Sequence, residues 1–157
     1  KKNLKYQSPG INEENRYEKL HTVTFDNSKE ASILIAREIC DLVKSKKEKK
    51  KNCVIGFATG SSPTKVYQEI IRIHKDESLS FNNVIAFNLD EYYPMDKSSV
   101  HSYFYFMHQH LFDHVDINPE NINIPSGTVS LEELHQYCID YDLKIKEYAK
   151  KEIPEFL

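Results

Sequence analysis

Two nearly continuous apolar runs, NCVIGFA at 52–58 and NVIAFNL at 83–89, do most to limit how this chain can fold. A strand that is apolar on both faces must be covered on both faces, which is the situation of a strand inside a parallel sheet. Each run ends abruptly in turn-forming or charged residues, TGSSP after the first and DEYYPMDKSS after the second. A shorter β-rich run, HTVTF at 21–25, and an INI segment at 122–124 are predicted as flanking strands.

Helical periodicity fills the intervals. In DNSKEASILIAREICDLVKS, Asp26 to Ser28 are N-cap candidates, and Ile33, Ala36, Ile39, Cys40 and Val43 recur at helical spacing. SPTKVYQEIIRIHK opens with a Ser62 cap and Pro63 at the first helical position, and Val66, Ile70 and Ile73 form one face. VHSYFYFMHQHLF at 100–112 is predicted to be helical, with Tyr103, Phe104, Tyr105 and Phe106 mostly in the core. The last helix, 130–151, begins with a capping box of Ser130 and Glu133. The order β-α-β-α-β-α predicts an α/β fold, an open parallel sheet with helices on both faces, in which ligands bind beyond the carboxyl ends of the strands. TGSS and LDEYY therefore meet at one cleft.

Composition narrows the function classes. The chain has 157 residues, 39% of them hydrophobic, and a formal net charge of -3, which gives no overall attraction for nucleic acid. The one basic cluster, KSKKEKKK at 44–51, falls where the first helix should end, and cations there complement the helix dipole. No run approaches the roughly 18 apolar residues of a membrane span, and the first twenty residues lack the apolar centre of a signal peptide. Cys40, Cys53 and Cys138 sit in apolar patterns and read as buried small hydrophobes of a reducing compartment, so the expected location is cytoplasmic.

The chain holds only four glycines, and Gly56 and Gly60 both lie in VIGFATGSSPTKVY. Gly56 reads as a packing residue within a strand. Thr59, Gly60, Ser61 and Ser62 lie on a strand-to-helix turn whose free amides and hydroxyls suit a phosphate, or else simply turn the chain and cap the helix. Neither GxxxxGK[ST] nor GxGxxG spacing is present, and Lys65 falls inside the helix. Asp90 and Glu91 directly follow a strand, so at least one carboxylate is expected in the cleft, either as a general base once burial raises its pKa or as a cap. His110 and His114 are four residues apart but lack the HExxH glutamate and a third ligand, so no metal site is predicted.

FATGSSPTKVYQEI, NVIAFNLDEYYPM, SYFYFM and HLFDHVDINPENINIPSG, in this order and spacing, resemble glucosamine-6-phosphate deaminases, also called isomerases, over residues 21–148. The resemblance implies a Rossmann-like, three-layer αβα sheet and conversion of glucosamine 6-phosphate and water to fructose 6-phosphate and ammonia, without a cofactor. Asp90 matches the carboxylate that moves the C2 proton to C1. Thr59, Gly60, Ser61 and Ser62 match the phosphate loop, with Ser61 where many relatives have a second glycine. Tyr103 matches a tyrosine near the sugar, and Glu91 is grouped with the substrate-binding residues. The implied partner is a small sugar phosphate, with a homo-oligomer left open.

Two other readings share the resemblance. A 6-phosphogluconolactonase would be expected to have arginine where Tyr92 stands, and a sugar-phosphate-sensing regulator would need a helix-turn-helix that residues 1–20 are too short to form. In the deaminase family a DGHIAFNEP-like motif should follow the helix at 130–148, whereas this chain runs on to AKKEIPEFL. The expectation is thus an arm at 1–20 and, at 21–157, the N-terminal portion of a truncated domain that is inactive by itself.

Overall fold

A computed structural model describes residues 23–152, with side chains to residue 148. The expected arm at 1–20 and the first two residues of HTVTF lie outside the described residues. Residues 23–25 are not a strand. A β-rich run becomes one only where it pairs, and the sheet is made of three other segments.

The first helix, α1 (Ser28–Glu48), starts at Asn27, whose side chain accepts hydrogen bonds from the amides of Lys29 and Glu30 at 3.1 and 3.0 Å. Its buried face is Ser32, Ala36, Cys40 and Val43, whereas Ile33 is 43% exposed. The lysine cluster does fall at its C-terminus, with Lys46 and Lys47 in the last turn. Strand β1 (Cys53–Phe57) follows, then α2 (Thr64–Glu77), which buries Val66, Tyr67, Ile70 and Ile73. Fully burying aliphatic side chains such as Ile70 and Ile73 stabilises the fold by about 1.5–3 kcal/mol each.

Strand β2 (Val84–Asn88) is buried along its whole length. After it come a long loop and α3 (Tyr103–His110), capped by Ser102. The aromatic run is only partly buried, with Met107 the fully buried residue of α3 and Tyr105 37% exposed. The helix is short and turns one face to solvent. Because α3 ends at His110 and Phe112–His114 is a separate 3-10 turn, His110 and His114 do not share a helical face. A second 3-10 turn, Pro119–Asn121, leads into β3 (Ile122–Asn123), and the chain then enters α4 (Leu134–Glu152). Ser130 and Glu133 do bond each other ahead of that helix, Oγ to carboxylate at 2.8 Å, but the regular turns begin after them.

The sheet is parallel in the order β1-β2-β3. Alternation separates its faces. Cys53, Ile55 and Phe57, with Val84 and Ala86, join the core formed with α1, α2 and α3, where Phe57 meets Phe112 edge to face at 5.7 Å. On the opposite face Phe87 meets Tyr141 and Tyr148 of α4 at 5.9 and 5.8 Å. Helices thus cover both faces, as predicted, in three layers. Cys40 and Cys53 are buried, but Cys138 is exposed on α4, whose turns are mostly in solvent.

Candidate active site

Strand register brings the two sequence motifs together. Cys53 pairs with Val84 and Phe57 with Asn88, so both strands end at the same level and release Ala58-Thr59 and Leu89-Asp90 side by side. Thr59 and Asp90 line one groove of about 510 Å³, floored by Val54, Gly56 and Phe87 and walled by Ile145 of α4. Gly56 belongs to this open floor. Among the described residues nothing lies within 4 Å of where a Cβ would sit there, so the packing role expected for it is not what the structure shows.

The turn above the groove is shaped by Gly60, at φ +94, a backbone conformation that favours glycine. Ser61 and Ser62 are exposed beyond it. Ser62 is not the cap of α2, because Pro63 takes that position with helical dihedrals and no side-chain cap bond, although Thr64 Oγ1 donates to the Gly60 oxygen at 3.2 Å. The first amides of α2 therefore point at the turn without helical partners of their own. Lys65 is engaged by α1, its Nζ donating to Ser28 Oγ at 2.9 Å. Beneath the turn the Tyr67 hydroxyl donates to the Ala58 oxygen, and burial pushes its phenol pKa up.

Asp90 is exposed at the rim of the groove, so burial has not occurred at this carboxylate within the described residues. Glu91 is placed quite differently. One of its oxygens accepts the amides of Tyr92 and Tyr103 at 2.9 and 2.8 Å, and the other accepts the amide of Phe104 at 2.9 Å. The capping role that any acidic pair after a strand allows is the one Glu91 adopts, at the start of α3. Tyr103 stands on that same turn, its ring 4.7 Å from that of Tyr92, and shares with Gly60 a second concavity of about 440 Å³. A hydrogen bond to Tyr103 raises the Tyr92 phenol above its ordinary pKa.

Several supporting residues were not singled out from the sequence. Asn88 is 1% exposed and donates across the sheet to the Phe57 oxygen at 3.0 Å, while its Oδ1 is buried with no partner among the described residues. Tyr141 reaches from α4 to the strand ends. Gly127 approaches the 92–95 loop so closely that an added Cβ would lie 2.4 Å from the Met95 oxygen, and its carbonyl accepts the Met95 amide at 2.7 Å. Glycine between serine and threonine at 126–128 was the signal available for that contact.

The family described as glucosamine-6-phosphate isomerases/6-phosphogluconolactonase matches residues 26–156. The chain belongs to this family. It is 44% identical over 115 residues to glucosamine-6-phosphate deaminase 2 of Giardia intestinalis, a match covering 73% of this chain and 41% of that protein. It is 39% identical over 134 residues to a putative glucosamine-6-phosphate deaminase-like protein of Bacteroides thetaiotaomicron, covering 85% of this chain and 20% of that protein. Among solved structures, a monomeric glucosamine-6-phosphate deaminase superposes with a TM-score of 0.76 at 31% identity, over 83% of this chain and 52% of the other. A 6-phosphogluconolactonase from Thermotoga maritima, at 17% identity and a TM-score of 0.59, shares the fold. This member of the family spans about half the length, or less, of the relatives it matches.

Proposed function

We propose that this chain is part of a glucosamine-6-phosphate deaminase, contributing the phosphate turn and the proton-transfer carboxylate. The observation that carries this reading is the register that ends β1 and β2 together and sets Thr59 and Asp90 on one groove. The names of the relatives supply the substrate class.

In this reading the substrate's phosphate sits at the 59–62 turn, held by the N-terminal amides of α2 and the hydroxyls of Thr59, Ser61 and Ser62. Hydrogen bonds to a charged group are worth about 1.5–3 kcal/mol each, so a few hold a phosphate with no lysine beside it. Asp90 takes the proton from C2 of the open-chain sugar and delivers it to C1. Water then replaces nitrogen at C2, which yields fructose 6-phosphate and releases ammonia. Tyr103 borders the sugar.

Tyr92, packed on Tyr103, stands where the lactonase reading calls for arginine, which supports the deaminase. The same reading places the protein in the cytoplasm as a hydrolase of amino-sugar catabolism, in keeping with buried Cys40 and Cys53. It also makes residues 1–157 inactive by themselves, since they match only 41% of the Giardia deaminase.

The test is ammonia release from glucosamine 6-phosphate by the full-length protein, run beside 6-phosphogluconolactone hydrolysis, and then repeated with Asp90→Asn. The expected result is deaminase activity in the wild type and loss of C2 proton exchange with solvent in the variant. Lactone hydrolysis without ammonia release would replace this reading with the other, and retained C2 exchange would remove Asp90 from the proton-transfer role.

A further inference from the structure

Glu91, next to the groove residue Asp90, has both carboxylate oxygens on backbone amides, those of Tyr103 and Phe104 lying twelve and thirteen residues away in sequence. The half-buried side chain thus places a negative charge at the N-terminus of α3, where it satisfies orphan amides and complements the helix dipole. Ser102 Oγ accepts the next amide, that of Tyr105, at 3.0 Å.

Two features make this more than a helix cap. Glu91 is bonded directly to Asp90 through one planar peptide, so holding the Glu91 carboxylate on α3 restrains the chain at Asp90. The amide it accepts on the other side belongs to Tyr103, and the adjoining Tyr92 ring packs on the Tyr103 ring at 4.7 Å. A single side chain therefore ties the end of β2 to the start of α3.

We infer that Glu91 is a positioning residue, which sets Asp90 and Tyr103 at a fixed separation by holding the first turn of α3 against the end of β2, and which does not touch substrate. The inference rests on the deaminase reading for its kinetic consequence, but its geometry does not depend on the identity of the sugar. A glutamine at this position keeps one acceptor oxygen and turns an amide donor toward a backbone N–H. The clamp is then half undone without a change of volume.

The experiment compares Glu91→Gln with Ser102→Ala, which removes a different cap bond of the same helix, in the full-length protein. Misplacing reacting groups by about 1 Å costs on the order of 10²-fold. The expected result for Glu91→Gln is kcat down by about 10- to 100-fold, C2 proton exchange slowed in parallel and KM nearly unchanged. Ser102→Ala, at equal or greater loss of thermal stability, keeps its kcat. A Glu91→Gln variant whose KM rises with kcat retained would make Glu91 a substrate contact, and one with both constants unchanged would leave it a plain cap; either result overturns the inference.

A second readout separates this inference from the deaminase reading. Amide exchange at Tyr103 and Phe104 should be faster in Glu91→Gln, and the Asp90 carboxyl NMR resonance should shift. If the wild type proves inactive on glucosamine 6-phosphate while both signals respond, the substrate assignment has failed and the clamp stands. An unmoved Asp90 resonance overturns the clamp whatever the substrate.

Discussion

The hydroxyl of Tyr141 lies 2.6 Å from the main-chain oxygen of Asn88 and 3.0 Å from that of Asn123, so one residue of α4 reaches the carboxyl ends of two neighbouring strands. This contact fixes the helix that walls the groove to the end of the strand that leads into Asp90. Replacing Tyr141 with Phe keeps the ring against Phe87 and leaves the two carbonyls without this donor. The expected loss is about 1–2 kcal/mol of unfolding free energy, measured by urea denaturation of the full-length protein. A variant as stable as the wild type would show that water replaces the hydroxyl at no cost.

The glycines divide into three cases that substitution by alanine resolves. At Gly56 none of the described residues obstructs a methyl group, and stability should hold. At Gly60 there is space but the backbone is left-handed, so Gly60→Ala is expected to cost about 1–2 kcal/mol. Gly127→Ala should be the most disruptive, because the methyl group would meet the backbone oxygens of Met95 and Tyr92 at 2.4 and 2.6 Å. The order of thermal midpoints, Gly56→Ala highest and Gly127→Ala lowest, is the check.

Burial raises the Cys40 thiol from 9.0 to about 11. Between those values the unfolded chain has released its proton and the folded chain keeps it, so the unfolded state binds fewer protons and stability falls as pH rises. The contribution is fully present below about pH 9 and amounts to about 2–3 kcal/mol across the window. Tyr67 and Tyr141, also raised by burial, add to the same decline above about pH 10. Urea midpoints measured from pH 8 to 10.5 should fall for the wild type and fall less for Cys40→Ala. Parallel curves for the two proteins would remove Cys40 as the cause.

On the deaminase reading, Ser62→Ala removes one hydroxyl from the phosphate turn and touches nothing at Asp90. KM for glucosamine 6-phosphate is expected to rise about tenfold while kcat changes little, since a bond to a phosphate oxygen is worth about 1.5–3 kcal/mol in ground and transition states alike. A fall in kcat with KM constant would place Ser62 nearer the reacting carbons than the phosphate.

Periodicity made the core legible. Ala36, Cys40 and Val43, and likewise Val66, Ile70 and Ile73, could be read as buried faces because burial in a helix repeats every three or four residues, and each of these is buried. The meeting of Thr59 with Asp90 at one groove followed from topology alone, whereas Gly60 faces the second concavity and Ser61 and Ser62 line neither. Caps were harder to read. Ser62 and Pro63 look like an ordinary helix start, yet the helix begins one residue after Pro63, because the chain is still turning around Gly60. Contacts between distant residues were beyond local pattern. Two of the three amides that Glu91 accepts are twelve and thirteen residues away, and Tyr141 stands 53 residues from Asn88, so neither pairing leaves a spacing that can be read along the chain. The 23–25 segment failed as a strand for a related reason: β propensity describes what a segment can pair with, and only tertiary structure supplies the partner.

The loop after β2 is fastened to the segment after β3 at two points. The Met95 amide donates to the Gly127 oxygen, and the Tyr93 hydroxyl donates to the Val129 oxygen at 2.9 Å. Gly127 also lies so close to the Met95 and Tyr92 oxygens that no larger residue fits there. The loop that follows Asp90 is thus fastened through its backbone to the segment that leads into α4, and the exposed turn at Gly60, Ser61 and Ser62 carries no such fastening among the described residues.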